Sequence, residues 1–366
     1  MDIQQSRVID LLRYPMAVLV VMCHCGFLDG GGTAVQIFFS ETLPHVAVPL
    51  FLLFSGYLFF KEGKFDEALY RRKLKSRFRT LFIPYIIWST LCFIIAVAQG
   101  QITPTFLHYV EGLWDTALWN DGVSFSRTLP GYPMNMPLWF IRDLMILVLI
   151  SPLIWLLLQK TRGWGILLMV AWWFPAHDKF FGFGADSLFF FSLGALFAMK
   201  QVNFVQLARK YAVPFYIAAG VMLVVDFVVM YKNYMAYHEL RFNWLVFNVY
   251  VVSIMGAILA LAGQLAEKPI ADRLIRLSST SFFLYAAHIL WLYPLRDYLL
   301  RVLAPASDTA VILFYFAFIV FHCTVVTALF FLMRKFLPKT TAILTGGRVY
   351  VSLANANQSY CVFKNR

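Results

Sequence analysis

The chain has 366 residues, of which 61% are hydrophobic and 14% charged, and its 31 Lys and Arg against 19 Asp and Glu give a formal net charge of +12. Soluble domains run about 45–50% apolar and about 25% charged, so this composition excludes a water-soluble globule. The basic residues lie in short clusters between apolar runs, as the positive-inside rule requires of a membrane protein, which sets aside a nucleic-acid partner.

Apolar stretches recur at 8–28, 43–60, 80–99, 138–158, 163–176, 187–199, 211–230, 243–265, 279–297 and 308–333. A spanning helix needs ~20 apolar residues, so the expected fold is all-α, a polytopic transmembrane helix bundle of about ten spans. No linker or low-complexity tract divides it, and 1–366 reads as one transmembrane domain. The fifth and sixth runs are short and read as tilted extensions or a re-entrant hairpin. With the N-terminus inside, most Lys and Arg fall in cytoplasmic segments, densest from Lys61 to Arg79, whereas the longest external loop, 100–137, carries only Arg127. Both termini are then cytoplasmic, with 334–366 as a short tail. The first run lacks a basic n-region and a small-residue cleavage site, so it reads as a span and not a cleaved signal.

Ionisable side chains inside a bilayer cost about 2.5–3.5 kcal/mol each on insertion scales, which makes them the first places to look for function. In the first span Arg13 and His24 are eleven positions apart. In a helix that is three turns plus about 20°, so both point to one face about 16 Å apart. Taken singly, Arg13 can be a snorkelling side chain and His24 a core histidine, but the shared face favours function. A histidine there can act as general base on a hydroxyl. Cys23 and Cys25 flank His24, but adjacent helix positions splay by about 100° and cannot converge on a metal ion. With Cys92, Cys323 and Cys361 they make no CxxC pair, and neither a disulfide framework nor a metal site is expected.

In the second span, Ser55-Gly56-Tyr57 permits close helix approach, with packing as its plainer role. Lys75-Ser-Arg77-Phe-Arg79 precedes Pro84, which suggests an extended or turning backbone with both arginines on one side. Their guanidinium groups can then hold phosphates, or simply anchor the chain to anionic lipid. Trp139 and the Arg142-Asp143 pair lie toward the outer end of the fourth span, where Arg142 pairs with a carboxylate or lines the mouth. In the ninth span Ser281, Tyr285 and His288 fall on one face at i, i+4, i+7, a polar stripe directed into the bundle for hydrogen bonding or for substrate. Asp226 and His322 have no spacing partner.

Together these segments resemble the acyltransferase 3 family of membrane acyltransferases over essentially the whole chain. The resemblance rests on six elements in order: Arg13-x10-His24, "FLLFSGYLF" around Ser55 and Tyr57, Arg77-x-Arg79, "PLWFIRDL" with Trp139 and Arg142, "FFFSLGALFA" at 189–198, and "SFFLYAAHIL" with Tyr285 and His288. It implies that His24 is the catalytic histidine, that Arg13 is its catalytic partner, and that Arg77 and Arg79 contact the phosphates of acyl-CoA. Ser55, Tyr57, Trp139, Arg142, Tyr285 and His288 are pocket candidates. By the same resemblance the acyl group is acetyl in the commonest case, with succinyl or longer chains also open, and acyl-CoA, acetyl-CoA first, is the donor. The acceptor is a hydroxyl on an extracytoplasmic or lipid-linked glycan, and the setting is a bacterial inner membrane. "LTGGR" at 344–348 also has the family's look, without a mechanism. The competing reading is a transporter or flippase for a glycolipid or small solute, against which stand the missing internal repeat and the few carboxylates inside spans.

Overall fold

Because lipid offers no hydrogen-bond partners, a chain this apolar must satisfy its backbone within helices. Helices are the regular structure of the computed structural model, which describes residues 2–26, 32–118, 131–175, 182–236 and 243–348, with no strand among them. Arg127, Cys361 and the tail beyond 348 lie outside the described residues.

Helix α1, Ile3–Cys25, starts on a capping box in which the Asp2 side chain accepts from the first turn and Gln5 answers it. It carries Pro15, tolerated inside a membrane helix where neighbouring helices support the freed carbonyl. Helix α2, Thr33–Phe60, runs through a π-helical stretch at Ile37–Thr42 and a 3-10 turn at Leu43–Val46. Helix α3, Glu67–Ala98, likewise widens into a π-helical stretch at Phe78–Phe82. Helix α4 is Met136–Lys160. Helices α5, Ala185–Met199, and α6, Phe204–Lys210, meet at a 97° bend. Helices α7, Ala212–Ala236, and α8, Asn243–Leu265, follow. Helices α9, Ser281–Ala287, and α10, Ile289–Leu303, are separated at His288. Helix α11, Asp308–Phe336, and the short α12, Pro338–Leu344, complete the described chain.

Among the described residues, seven of these helices are long and apolar enough to cross a membrane, eight if the bent α5–α6 pair is one span, against the ten expected. The fifth apolar run is helical only over Ile166–Trp173, about 12 Å of rise, well short of a ~30 Å hydrocarbon layer. The sixth is α5, which reaches spanning length only with α6. The ninth is divided into α9 and α10 at the very position of its histidine.

The core is built where α2 and α5 touch. A Cβ on Gly56 would stand 1.9 Å from the Phe191 carbonyl oxygen, and one on Gly194 would stand 2.1 Å from that of Leu53. Only hydrogen fits at these two positions, which is how small residues draw membrane helices together. Around this contact Leu50, Leu53, Phe190 and Phe191 are fully enclosed. The outer face of α7 is the opposite case. Ile217, Val221 and Val224, at i, i+4, i+7, are exposed, a stripe that water would penalise and lipid accommodates.

Candidate active site

Helix α1 carries both residues that the sequence singles out. His24, near its C-terminal end, faces His288 with ring centroids 5.3 Å apart. His288 is completely buried, and its Nδ1 lies 2.8 Å from the Tyr285 carbonyl and 3.2 Å from that of Leu284. Both neighbours are acceptors, so Nδ1 carries the proton and Nε2 presents a lone pair. Nε2 has no hydrogen-bond partner among the described residues. The break between α9 and α10 thus sets a buried imidazole beside His24. Tyr285 donates its hydroxyl to the Pro137 carbonyl and ties α9 to the turn that begins α4. His322 on α11 is buried, with the rings of Trp291 and Phe318 beside it.

Three turns away, toward the N-terminal end, Arg13 forms a 2.6 Å ion pair with Asp10, one turn back on the same helix. About a third of the Arg13 side chain remains exposed. The charge of Arg13 is felt at Arg77, and both are felt at Arg348. Three guanidinium groups therefore share one end of the bundle with Asp10. At about 16 Å from His24 along the axis, the separation that the eleven-residue spacing implies, Arg13 stands with these cations.

Arg77 also lines a cavity of about 400 Å³ together with Lys61, Arg72, Lys73, Ser76 and Glu62. Glu62 pairs with Arg72 at 2.9 Å and with Lys73 at 3.3 Å, so four cations surround one carboxylate. Such a concavity suits a polyanion. The expectation that Arg77 and Arg79 share a side does not hold. Pro84 did not make the backbone extended: the segment is α-helical through Arg77 and π-helical from Phe78, and residues two apart on a helix point away from each other. Arg77 turns toward the cavity and Arg79 is exposed.

The other candidates take several parts. Tyr57 donates to the Gln5 side chain at 3.1 Å and joins α2 to α1, while Ser55 beside Gly56 is half-buried. Trp139, half-buried, packs edge-on against Tyr132. Arg142 is not at an open mouth. It is 2% exposed, pairs with Asp143 at 3.1 Å, and donates to the carbonyls of Trp114, Gly131 and Gly182. Asp143 in turn accepts from Ser187 Oγ at 2.8 Å and from the Gly184 N–H at 3.2 Å. This pair clamps three connecting segments onto α4. Asp226 is fully buried on α7, with neither carboxylate oxygen hydrogen-bonded among the described residues.

Sequence reasoning missed Asp10, although its i, i+3 spacing from Arg13 was available as a signal. It also left Arg348 without a role, and no local spacing could have supplied one.

A family model described as an acyltransferase domain matches residues 7–340. The chain is 28% identical over 359 residues to the succinoglycan biosynthesis protein ExoH of Rhizobium meliloti (strain 1021), covering 95% of this chain and 94% of that one. No solved structure matches.

Proposed function

The chain belongs to the acyltransferase 3 family, and on that premise we propose that it moves an acyl group, acetyl in the first instance, from cytoplasmic acyl-CoA to a glycan hydroxyl on the far side of a bacterial inner membrane. The observation that carries this reading is the two-ended arrangement of α1, with a cationic cluster and basic cavity at its N-terminal end and the His24–His288 pair about 16 Å along its axis. A CoA headgroup held by the cations can extend its pantetheine arm, ~15–20 Å long, along the helix, which brings the thioester to the level of His24. The relative's part in succinoglycan biosynthesis supports a polysaccharide or its lipid-linked precursor as acceptor.

In the direct route His24 takes the proton of the acceptor hydroxyl as its oxygen attacks the thioester carbonyl. The C–S bond then breaks, and the CoA sulfur leaves with the proton that His24 returns. In the covalent route a His24 ring nitrogen attacks the thioester carbonyl, the C–S bond breaks and CoA leaves as thiolate; the acceptor oxygen then displaces the acyl group from that nitrogen, and the hydroxyl proton ends on the CoA sulfur. In both, His288, with its Nε2 unpartnered among the described residues, lies beside the imidazole that becomes charged. Arg13 and Arg77 serve the phosphates in this scheme, with Arg79 nearby.

The test is transfer of radiolabelled acetyl from acetyl-CoA to endogenous glycan in membranes holding wild type or His24→Ala, with succinyl-CoA run alongside and insertion checked. Label in the glycan that disappears with His24→Ala is the expected result. Absence of labelling from any short acyl-CoA in wild-type membranes with acceptor present would return the chain to the transporter reading.

A further inference from the structure

The last described segment of the chain, Thr345–Arg348, is built to hold one side chain in place. Helix α12 ends in a Schellman turn: the Gly347 N–H donates to the Ala342 carbonyl at 2.7 Å and the Gly346 N–H to that of Ile343 at 3.2 Å. Both glycines have positive φ, +58° and +83°, which L side chains rarely adopt. The turn is pressed against α3. A Cβ on Gly346 would meet the Thr80 carbonyl oxygen at 2.3 Å, and Trp88 Nε1 donates to the Leu344 carbonyl at 3.0 Å.

Arg348 projects from this turn onto the segment that carries Arg77. Its Nη1 donates to the Thr80 carbonyl at 3.3 Å and to the Thr345 carbonyl at 3.0 Å, and its guanidinium lies 4.6 Å over the Phe282 ring. Pro84, four residues beyond Thr80, has no N–H to offer, which leaves the Thr80 carbonyl open to the arginine. Nη1 is thus spent on positioning, while Nε and Nη2 make no hydrogen bond and no carboxylate pairs with Arg348 among the described residues. The neighbours it does feel are cations. Burial first, then repulsion from Arg77 and Arg13, push its pKa down to about 9. Among the described residues, three guanidinium groups and one paired carboxylate, Asp10, form a site short of negative charge, and Arg forks match phosphate oxygens.

We infer that Arg348, fixed on α3 by the Thr345–Arg348 turn, is a third arginine of the phosphate site and joins Arg77 and Arg13 in binding the phosphate groups of the CoA thioester donor. This rests on the acyl-CoA reading above. It also gives the two glycines of the turn a purpose, since together they bring the C-terminal end of the described chain to the donor.

The test is CoA binding to the purified full chain in detergent, for wild type, Arg348→Gln, Arg348→Lys and, on the exposed face of α7 as a control, Ile217→Ala, with acetyl-pantetheine, which lacks phosphate, as second probe. Loss of a charge-assisted phosphate contact predicts roughly tenfold weaker CoA binding in Arg348→Gln, partial recovery in Arg348→Lys, and unchanged binding in Ile217→Ala. Acetyl-pantetheine binding should be the same in all four. CoA affinity within twofold of wild type in a folded Arg348→Gln, or an equal loss for both probes, overturns the inference. Should the Gln variant not hold its fold, Arg348→Lys decides alone, because it keeps the charge and loses the fork: several-fold weaker CoA binding supports the inference, and wild-type affinity ends it. Wild-type protein that binds no CoA would instead remove the acyl-CoA reading on which the inference stands.

Discussion

His24 on α1 and His288 at the break between α9 and α10 face each other with ring centroids 5.3 Å apart, although 264 positions separate them in the chain. Because the Nδ1 proton of His288 is held by backbone carbonyls, its Nε2 lone pair is the part that can answer a proton on His24. His24→Ala should abolish transfer. His288→Gln should lower the turnover rate about 10²-fold, the lower end of what general acid–base assistance contributes, with the KM for acyl-CoA little changed. A His288→Gln protein that inserts normally and transfers at the wild-type rate would show that the pair is only packing.

Among the described residues Asp10 is the carboxylate paired with Arg13, at 2.6 Å, and it competes with any anion for that guanidinium. Asp10→Asn keeps the size of the side chain and removes the charge, so the protein should bind CoA a few-fold more tightly, about what one partly screened charge interaction near a protein surface supplies. The change should shrink as salt is raised. CoA titrations at low and high ionic strength measure both effects, and weaker binding in the variant would mean that Asp10 holds Arg13 in its working position.

The α2–α5 contact leaves no room at Gly56, where a Cβ would sit 1.9 Å from the Phe191 carbonyl oxygen. Gly56→Ala must push two helices apart along a core that includes Leu53 and Phe191, and should destabilise by about 1–3 kcal/mol, the usual range for overpacking. Thermal unfolding in detergent reads this directly. Ser55→Ala, one position away and half-buried, should leave the melting temperature nearly unchanged.

Much of this was legible from sequence, and the divisions have physical causes. Composition and apolar runs made the all-α class plain, because nothing else satisfies the backbone in lipid. Helical spacing put Arg13 and His24 on one helix, and the small residue at Gly56 pointed to close packing. What escaped was long-range or depended on a local irregularity. Arg348 meets Thr80 across 268 positions, which no periodicity encodes. The π-helical stretch at Phe78–Phe82 turned a proline cue into a continuous helix and separated Arg77 from Arg79. The ninth apolar run reads as one span by hydropathy, yet it is divided at His288, the residue that meets His24.

The Arg142–Asp143 pair makes the strongest claim on stability. Arg142 is 2% exposed and Asp143 fully buried, and between them they hold the segments at Trp114, Gly131, Gly182 and Gly184. Removing one partner leaves an unpaired charge in a low-dielectric interior, a loss of about 3–5 kcal/mol. Arg142→Met and Asp143→Leu should therefore each lower the melting temperature sharply and reduce the yield of monodisperse protein in detergent. The double variant removes both charges together, so it should lose less than the two single losses combined, although the loop carbonyls that Arg142 satisfies remain open in it. Arg142→Lys is the finer test, since a single ammonium keeps the ion pair but cannot reach three carbonyls and a carboxylate at once. It should fall between wild type and Arg142→Met. A Met variant as stable as wild type would indicate that Arg142 is available to a ligand after all, and the pocket assignment made from sequence would then have to be taken up again.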